Sequence, residues 1–243
     1  MKLEQLTPVP GTLVMAKPDD LRDYFAGTFW TAPSFLLNIV SNRAGEFTGA
    51  TGSSRDISNE LDYQALIGFR KAADGILTTA HTARTEQYRR SRYAPLALVS
   101  RSGDFSGIPA VEVDTAGPAE SKVYLLVRRG QVRSVKARYS SPWIQVVSIG
   151  SGSTFRLSFA LTRIGWRRIL VEAGPSFSSY LIGKSVIRGI ALSITDAESM
   201  SPLDAAANAL RNLGVVSASL ESADRVDGTL FTRWSDIHPL RRS

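Results

Sequence analysis

Thr78, Thr79, His81 and Thr82 follow at once on a short apolar run, Ile76-Leu77, and Glu172 closes a second run, Ile169-Leu170-Val171. Hydroxyls, an imidazole and a carboxylate at two strand ends suit hydrogen bonding to a ligand better than covalent attack. The chain has 2 histidines and no cysteine. That excludes a thiolate nucleophile, a thiolate zinc site and a disulfide framework. His238, the other histidine, lies in a charged tail. No serine sits in a G-x-S-x-G elbow, and there is no H-E-x-x-H, Walker or EF-hand pattern, so no metal site is expected. The acids suited to proton transfer are scattered. What remains is polar strand ends with basic residues nearby. That equipment suits a large phosphorylated cofactor whose own chemistry does the work.

Such residues meet only if neighbouring strands of an open α/β sheet end together, because ligands bind outside the carboxyl ends of those strands. Asp74-Gly75 punctuates the turn into the Ile76-Leu77 strand, and the segment from Thr78 to Glu86 reads as a polar loop after it. Ahead of it, Asn59 to Lys71 reads as a helix. Leu61, Ala65, Leu66 and Phe69 form its apolar stripe, Asn59 its cap, and Arg70 lies near its end. Further strands are expected at 35–40, 95–100, 123–127, 144–149, 187–194, 215–220 and 228–234, with helices at 154–164, 177–182 and 203–213. The last two strands, joined by the turn-prone Asp224 to Gly228, read as an antiparallel hairpin at the sheet edge. Asn42 to Ser54 is a long Gly-, Ser- and Thr-rich loop, and Gly150-Ser151-Gly152-Ser153 is a strand-to-helix turn of the kind that can cradle phosphate. Residues 1–33 are punctuated by proline, with one short helix near 19–25. The order of elements gives an α/β class with one domain over 1–243, on which 1–33 packs as an extension.

The 243 residues are 43% hydrophobic and 21% charged, with a formal charge of +7. This balance fits either an anionic partner, such as a phosphorylated cofactor, or an ordinary solvated surface. No long basic arm or RNA-binding signature is present, so no nucleic acid is expected. No apolar run approaches the roughly 20 residues needed to cross a bilayer, and the start of the chain lacks the order of a signal peptide. The expectation is a cytoplasmic protein without membrane contact.

Several stretches, taken in order, carry a resemblance. They are Asn38-Ile39-Val40, Gly52-Ser53-Ser54, the run from Phe69 to Leu77, and Thr82 with Glu86 and Tyr88 behind it. Then come the run from Ile169 to Pro175, the run from Ala191 to Thr195, and the run from Asp227 to Arg233. The chain resembles the reductase domain of the riboflavin-pathway deaminase-reductase, and most of all the stand-alone pyrimidine reductase-like proteins. The resemblance implies a dihydrofolate-reductase-like, three-layer αβα fold, with a mostly parallel central sheet and an antiparallel C-terminal hairpin. It implies an NADPH-dependent oxidoreductase that delivers hydride to 5-amino-6-(5-phosphoribosylamino)uracil or a related compound. The cofactor is NADPH, the partner a phosphorylated small molecule, and the assembly a homodimer. Cofactor contacts fall on Asp56, Thr79, Thr82, Glu86, Gly174, Pro175 and Ser176. Substrate contacts fall on Ser54, Arg70 and Glu172, and no strong catalytic dyad is implied.

The chain departs from the family at four places. Asn42-Arg43-Ala44-Gly45 stands for a Ser-x-Asp-Gly, and His81 and Ala173 each replace a glycine. Arg188-Gly189 replaces an Asp-Glu pair. A dihydrofolate-type reductase and a catalytically diverged binding paralogue are therefore alternatives on the same fold.

Overall fold

Short apolar runs bounded by turn residues fold as strands, and longer stretches with a single apolar stripe fold as helices. The structure is a computed structural model that describes residues 2–7, 11–14, 17–28, 34–113 and 121–240. In chain order the elements are β1 (Lys2–Thr7), β2 (Gly11–Val14), α1 (Pro18–Thr28), β3 (Ser34–Asn42), α2 (Glu60–Ala72), β4 (Gly75–Thr79), α3 (Ala80–Thr85), β5 (Leu96–Val99), α4 (Pro109–Glu112), β6 (Val123–Val127), α5 (Val132–Arg138), β7 (Ile144–Ser148), α6 (Thr154–Arg163), β8 (Arg168–Val171), α7 (Pro175–Gly183), β9 (Ile187–Thr195), α8 (Pro202–Asn212), β10 (Val215–Val226) and β11 (Thr229–Pro239). No helix among the described residues is long and apolar enough to cross a membrane.

The chain gathers into two compact units. The first combines Met1–Ala72 with Gly174–Ser243, and the second is Ala73–Ala173. In the first, the strands run β2-β1-β10-β11-β9-β3. All neighbours are antiparallel except β9 and β3, which are parallel. In the second, β8-β4-β5-β6-β7 is parallel throughout. Within the units parallel pairings outnumber antiparallel ones, and the C-terminal hairpin is antiparallel, so the mixed α/β class is as expected.

Three details differ from the sequence reading. The hairpin turn is only Asp227-Gly228, both in the left-handed region at φ 41° and 80°, while Asp224 to Val226 belong to β10. Two positive φ values are what a two-residue hairpin needs to match the strand twist, and Gly and Asp tolerate them. The hairpin does not lie at an edge, because β1 covers β10. Its own polar sequence, Lys-Leu-Glu-Gln-Leu-Thr, buries only Leu3 deeply and gives little strand signal. Finally, the segment after β4 is helical: Thr79 accepts from the Thr82 N–H at 3.0 Å and so starts α3. A threonine cap decides this where apolar periodicity is absent.

The second unit has fully buried strands. Ile76, Leu77, Leu96, Leu98, Leu125 and Leu126 are all at or below 1% exposure, as a parallel sheet covered on both faces requires. At Gly75 the backbone passes so close to the Trp166 indole that a Cβ would stand 2.4 Å from the ring. Trp166 in turn meets Tyr124 edge-on at 5.4 Å. In the first unit α1 packs on α2. Phe25 of α1 contacts Phe69 at 5.4 Å and Phe231 at 4.9 Å, and Gly68 lets the Arg22 carbonyl approach where a Cβ would be 2.5 Å away. Asn59 caps α2 as expected, accepting from the Asp62 N–H at 3.0 Å.

A buried acid ties these first-unit elements together. The Tyr24 hydroxyl on α1 donates to Asp224 on β10 at 3.1 Å, and the Gln5 amide on β1 donates to the Tyr24 oxygen at 3.2 Å. Burial pushes the Asp224 carboxyl from 3.8 up to about 6, only partly offset by the tyrosine. A carboxyl raised in the folded state binds its proton more tightly there than in the unfolded chain. Its contribution is full below the unfolded value and is lost as pH rises through about 6. Asp224→Asn is expected to be more stable than wild type by about 1–3 kcal/mol at pH 7.5, with the difference vanishing near pH 4. Denaturant unfolding of both proteins across that range checks it, and a pH-independent difference contradicts it. Gly75→Ala is expected to lose about 1–3 kcal/mol through the Trp166 overlap, read by the same unfolding curves.

Candidate functional site

The second unit brings four of the predicted residues into one region. Strands β4 and β8 pair in parallel, Ile76 opposite Leu170 and Leu77 opposite Val171, so their carboxyl ends coincide. Glu172 continues that register, its N–H bonded to the Leu77 carbonyl at 2.9 Å. Only 5% of Glu172 is exposed. Its Oε2 accepts the Tyr88 hydroxyl at 2.7 Å. A carboxylate taken this far out of water needs such donors.

Thr79, the last residue of β4, and Thr82 of α3 form a hydroxyl pair 3.0 Å apart, with the Thr79 oxygen also capping α3. Both threonines are half-buried. Glu86 closes the helix, its N–H donating to the Thr82 carbonyl at 2.8 Å. Gln87 then turns the chain in the left-handed region, at φ 51°. His81 lies on the exposed side of α3. Thr82 thus lies in a short helix rather than the expected loop, with Thr79 and Glu86 as its two caps, while Glu172 directly follows the neighbouring strand β8.

The first unit holds the other six predicted residues. Ser54 and Asp56 share a single 3-10 turn, capped by the Ser53 hydroxyl. Asp56 accepts from both the N–H and the hydroxyl of Thr51 at 2.7 Å. Those two bonds hold its carboxyl below the usual carboxylate range. Gly49 permits this closure, since a Cβ there would lie 2.3 Å from the Asp56 Cβ. The loop from Asn42 onward is therefore a folded structure. Asn42 itself accepts from the Ala44 and Glu46 N–H groups at 3.0 Å and so builds the turn. Arg70 is half-buried in the last turn of α2.

Gly174, Pro175 and Ser176 begin α7. Gly174 occupies the cap position, and Pro175 takes the first turn, where its missing N–H costs nothing. A glycine cap supplies no side-chain acceptor, so the N–H groups of this helix start are suited to an anionic group. That donor set fits the phosphates of a dinucleotide. In the second unit, the paired hydroxyls and the Glu86 carboxylate fit the hydroxyls of a ribose.

Sequence reasoning quoted Tyr88 among the residues that carry the resemblance but did not place it against Glu172. Its contact with Glu172 spans 84 positions and depends on a left-handed glutamine, for which no sequence signal exists.

No family model matches the chain, and no curated protein matches it in sequence. Solved structures do. A pyrimidine reductase-like protein from Corynebacterium diphtheriae superposes with a TM-score of 0.69 at 19% identity, covering 90% of this chain and 98% of that one. The bifunctional diaminohydroxyphosphoribosylaminopyrimidine deaminase/5-amino-6-(5-phosphoribosylamino)uracil reductase of Thermotoga maritima gives 0.61 at 15% identity, covering 84% of this chain and 56% of that one. The riboflavin biosynthesis reductase of Saccharomyces cerevisiae gives 0.58 at 10% identity, over 91% and 99%. The chain thus spans about half of the bifunctional protein and nearly all of the other two. The likeness at these identities is one of architecture: the chain has the fold of the pyrimidine and riboflavin-pathway reductases.

Proposed function

We propose that the chain is an NADPH-dependent reductase of the riboflavin-pathway type, acting on 5-amino-6-(5-phosphoribosylamino)uracil or a close relative. The observation that carries this reading is the buried Glu172 carboxylate at the shared carboxyl end of β8 and β4, with the Thr79–Thr82 pair at the end of β4. It is supported by the fold shared with reductases of that pathway.

When bound, NADPH supplies the hydride that reduces the ribosyl carbon. The chain's own residues bind and orient. Thr79, Thr82 and Glu86 take hydroxyls of the cofactor. Gly174, Pro175 and Ser176 take its phosphates at the helix start, and Asp56 contributes a further cofactor contact. Ser54 and Arg70 contact the substrate, where a guanidinium suits the phosphate. Glu172 accepts N–H groups of the pyrimidine. Acceleration then comes from holding the two reactants in register, without a strong acid-base pair.

The protein is taken to work in the cytoplasm as a homodimer. The argument for pairing through the C-terminal hairpin falls, since β1 covers β10. It passes to β2, the end strand of the first unit's sheet, which is exposed along its whole length. An open edge of this kind is where a second copy adds a strand. Light scattering at micromolar concentration should give about twice the 26.4 kDa chain mass, and a monomer alone counts against it.

The reductase reading itself predicts saturable NADPH binding. Thr82→Ala should weaken it by about tenfold, the value of one or two hydrogen bonds. Gly174→Asp should weaken it more, because it sets a carboxylate against the cofactor phosphates. Fluorescence titration checks both. Absence of saturation up to millimolar NADPH rejects the reductase and leaves a binding paralogue. Equal binding by Gly174→Asp moves the phosphates away from α7.

A further inference from the structure

Helix α6 shows solvent two phenylalanines that its own core does not use. Its inward stripe is Leu157, Ala160 and Leu161, all buried. Phe155 and Phe159, one turn apart and turned away from that stripe, are 71% and 48% exposed. Their rings are near-parallel, 15° apart with centroids at 6.4 Å. A further turn along, Arg163 places its guanidinium over Phe159 at 6.0 Å. Charge frames the pair at both ends. Arg156 stands in the first turn of α6, which holds no acid, although helix starts favour acids over cations. Arg128 reaches the same end, since a Cβ on Gly152 would lie 3.3 Å from its Nε. Arg128, Arg156 and Arg163 are all exposed. They belong to the segment from Ser121 to Val171, which holds ten Arg and Lys and no Asp or Glu. Bare aromatic rings and clustered like charges both cost an isolated chain, and local violations of this kind mark functional surfaces.

We propose that this face of α6 docks an acidic amphipathic helix of a partner protein, whose apolar side chains cover Phe155 and Phe159 and whose carboxylates meet Arg156 and Arg163. The surface lies within the second unit and is independent of the reductase reading. Charge complementarity selects the partner. A second copy joined here by a two-fold axis would set the same cations against each other. A single-stranded nucleic acid needs free ring faces on which its bases stack. Phe159 has Phe155 on one side and Arg163 on the other. A helix lying on a membrane immerses its main apolar stripe, and that of α6 is spent on the core. An acidic helix meets none of these conflicts. Its apolar anchors, one turn apart, match rings one turn apart, and its Asp or Glu side chains suit the planar fork of arginine.

The test is fluorescence anisotropy of a labelled peptide of about 20 residues, long enough to form a helix, titrated with the whole chain. The peptide contains only Leu, Ala and Glu, with its leucines at helical spacing. Saturable binding that weakens as salt rises is expected. Phe155→Ser combined with Phe159→Ser should weaken it about tenfold or more, and so should Arg156→Glu combined with Arg163→Glu. Both variants should keep the wild-type circular dichroism, because the four side chains are exposed. Polyglutamate of the same length should bind about tenfold more weakly than the amphipathic peptide. Absence of saturation with wild type overturns the inference, as does equal affinity of the phenylalanine variant. Equal binding of polyglutamate reduces the surface to bare charge and overturns it too. Tighter binding of oligothymidylate, or of phosphatidylserine vesicles, assigns the face to nucleic acid or membrane and rejects a protein partner. A wild-type dimer that the phenylalanine variant splits into monomers makes the face a contact between copies and likewise rejects it. Should the phenylalanine variant not fold, the arginine variant decides by the same readout.

Discussion

The carboxylate of Asp74 fixes the register on which the second unit's site depends. One oxygen accepts from the backbone N–H groups of Arg167 and Arg168 at 2.9 and 2.8 Å, and the other takes the Arg168 guanidinium at 3.2 and 2.8 Å. The Asp74 N–H returns a bond to the Arg168 carbonyl at 2.9 Å. Partial burial alone would raise this carboxyl, but the arginine contacts outweigh it and hold it below the usual range. Two parallel strands distant in sequence are thereby pinned at their amino ends, directly before β4 and at the start of β8. Because each strand is only a few residues long, pinning one end determines the other. Leu77 then faces Val171, and Glu172 falls at the carboxyl end with no freedom to slip. A one-residue slip would turn Glu172 to the other face of the sheet. Gly75 and Trp166 act at the same end, where the indole fills the space a side chain would take.

The first unit uses different means for the same purpose. Its residues with expected roles sit at helix ends and in a closed loop rather than at the ends of paired parallel strands. Capping places them: Ser53 at the Ser54–Asp56 turn, Asn59 at α2, Gly174 at α7. Asn59 also donates its side-chain amide to Thr229 of β11 at 2.7 Å, so the cap that starts α2 also anchors the helix to the hairpin. The Arg70 end of α2 is then set by helix length from a fixed start. The close approach of α1 at Gly68, with Phe25 between Phe69 and Phe231, holds the helix against the sheet. The glycine-rich loop that looks mobile in sequence is ordered by Asp56, whose two bonds to Thr51 close it on itself.

These mechanisms explain what was legible in the sequence. Strands β4, β5, β6 and β8 are apolar throughout, and buried parallel strands announce themselves by that continuity. Helices α2 and α8 carry an apolar stripe and a polar cap, so their starts fall within a residue or two of expectation. Strands β1 and β2 did not show, because each buries at most one side chain and takes its stability from pairing. Helix α3 did not show either, since six residues are too few for a periodic pattern and one threonine cap decides the matter. The site divides the same way. Glu172 and Thr79 were visible as polar residues ending apolar runs. The contact of Tyr88 with Glu172 was not, because it depends on a left-handed turn at Gln87 and spans 84 positions.

Charge shows the same limit. The chain's +7 looks like an ordinary basic surface when summed over its length. Divided along the two units it is far from even. Residues 73–173 hold fifteen Arg and Lys against seven Asp and Glu, a formal +8, while the rest holds fourteen against fifteen, a formal −1. From Ser121 to Val171 there is no acid at all. Several cations inside the second unit are already engaged. Arg168 binds Asp74, and Arg84 and Arg138 lie within 3.8 and 3.4 Å of Asp104. The surplus is thus carried by residues such as Arg128, Arg129, Arg133 and Arg156, all exposed. Arg128 and Arg156 lie against the two left-handed glycines of the 150–152 turn, where a Cβ would come within 3.3 and 3.4 Å of them. A field of one sign over a whole unit raises the local concentration of anions and weakens as salt is added. Ligands carrying several phosphates feel it most, whereas a neutral pyrimidine or pterin feels almost none. The second unit therefore buries the Glu172 carboxylate and, on its surface, carries more than the whole of the chain's positive surplus.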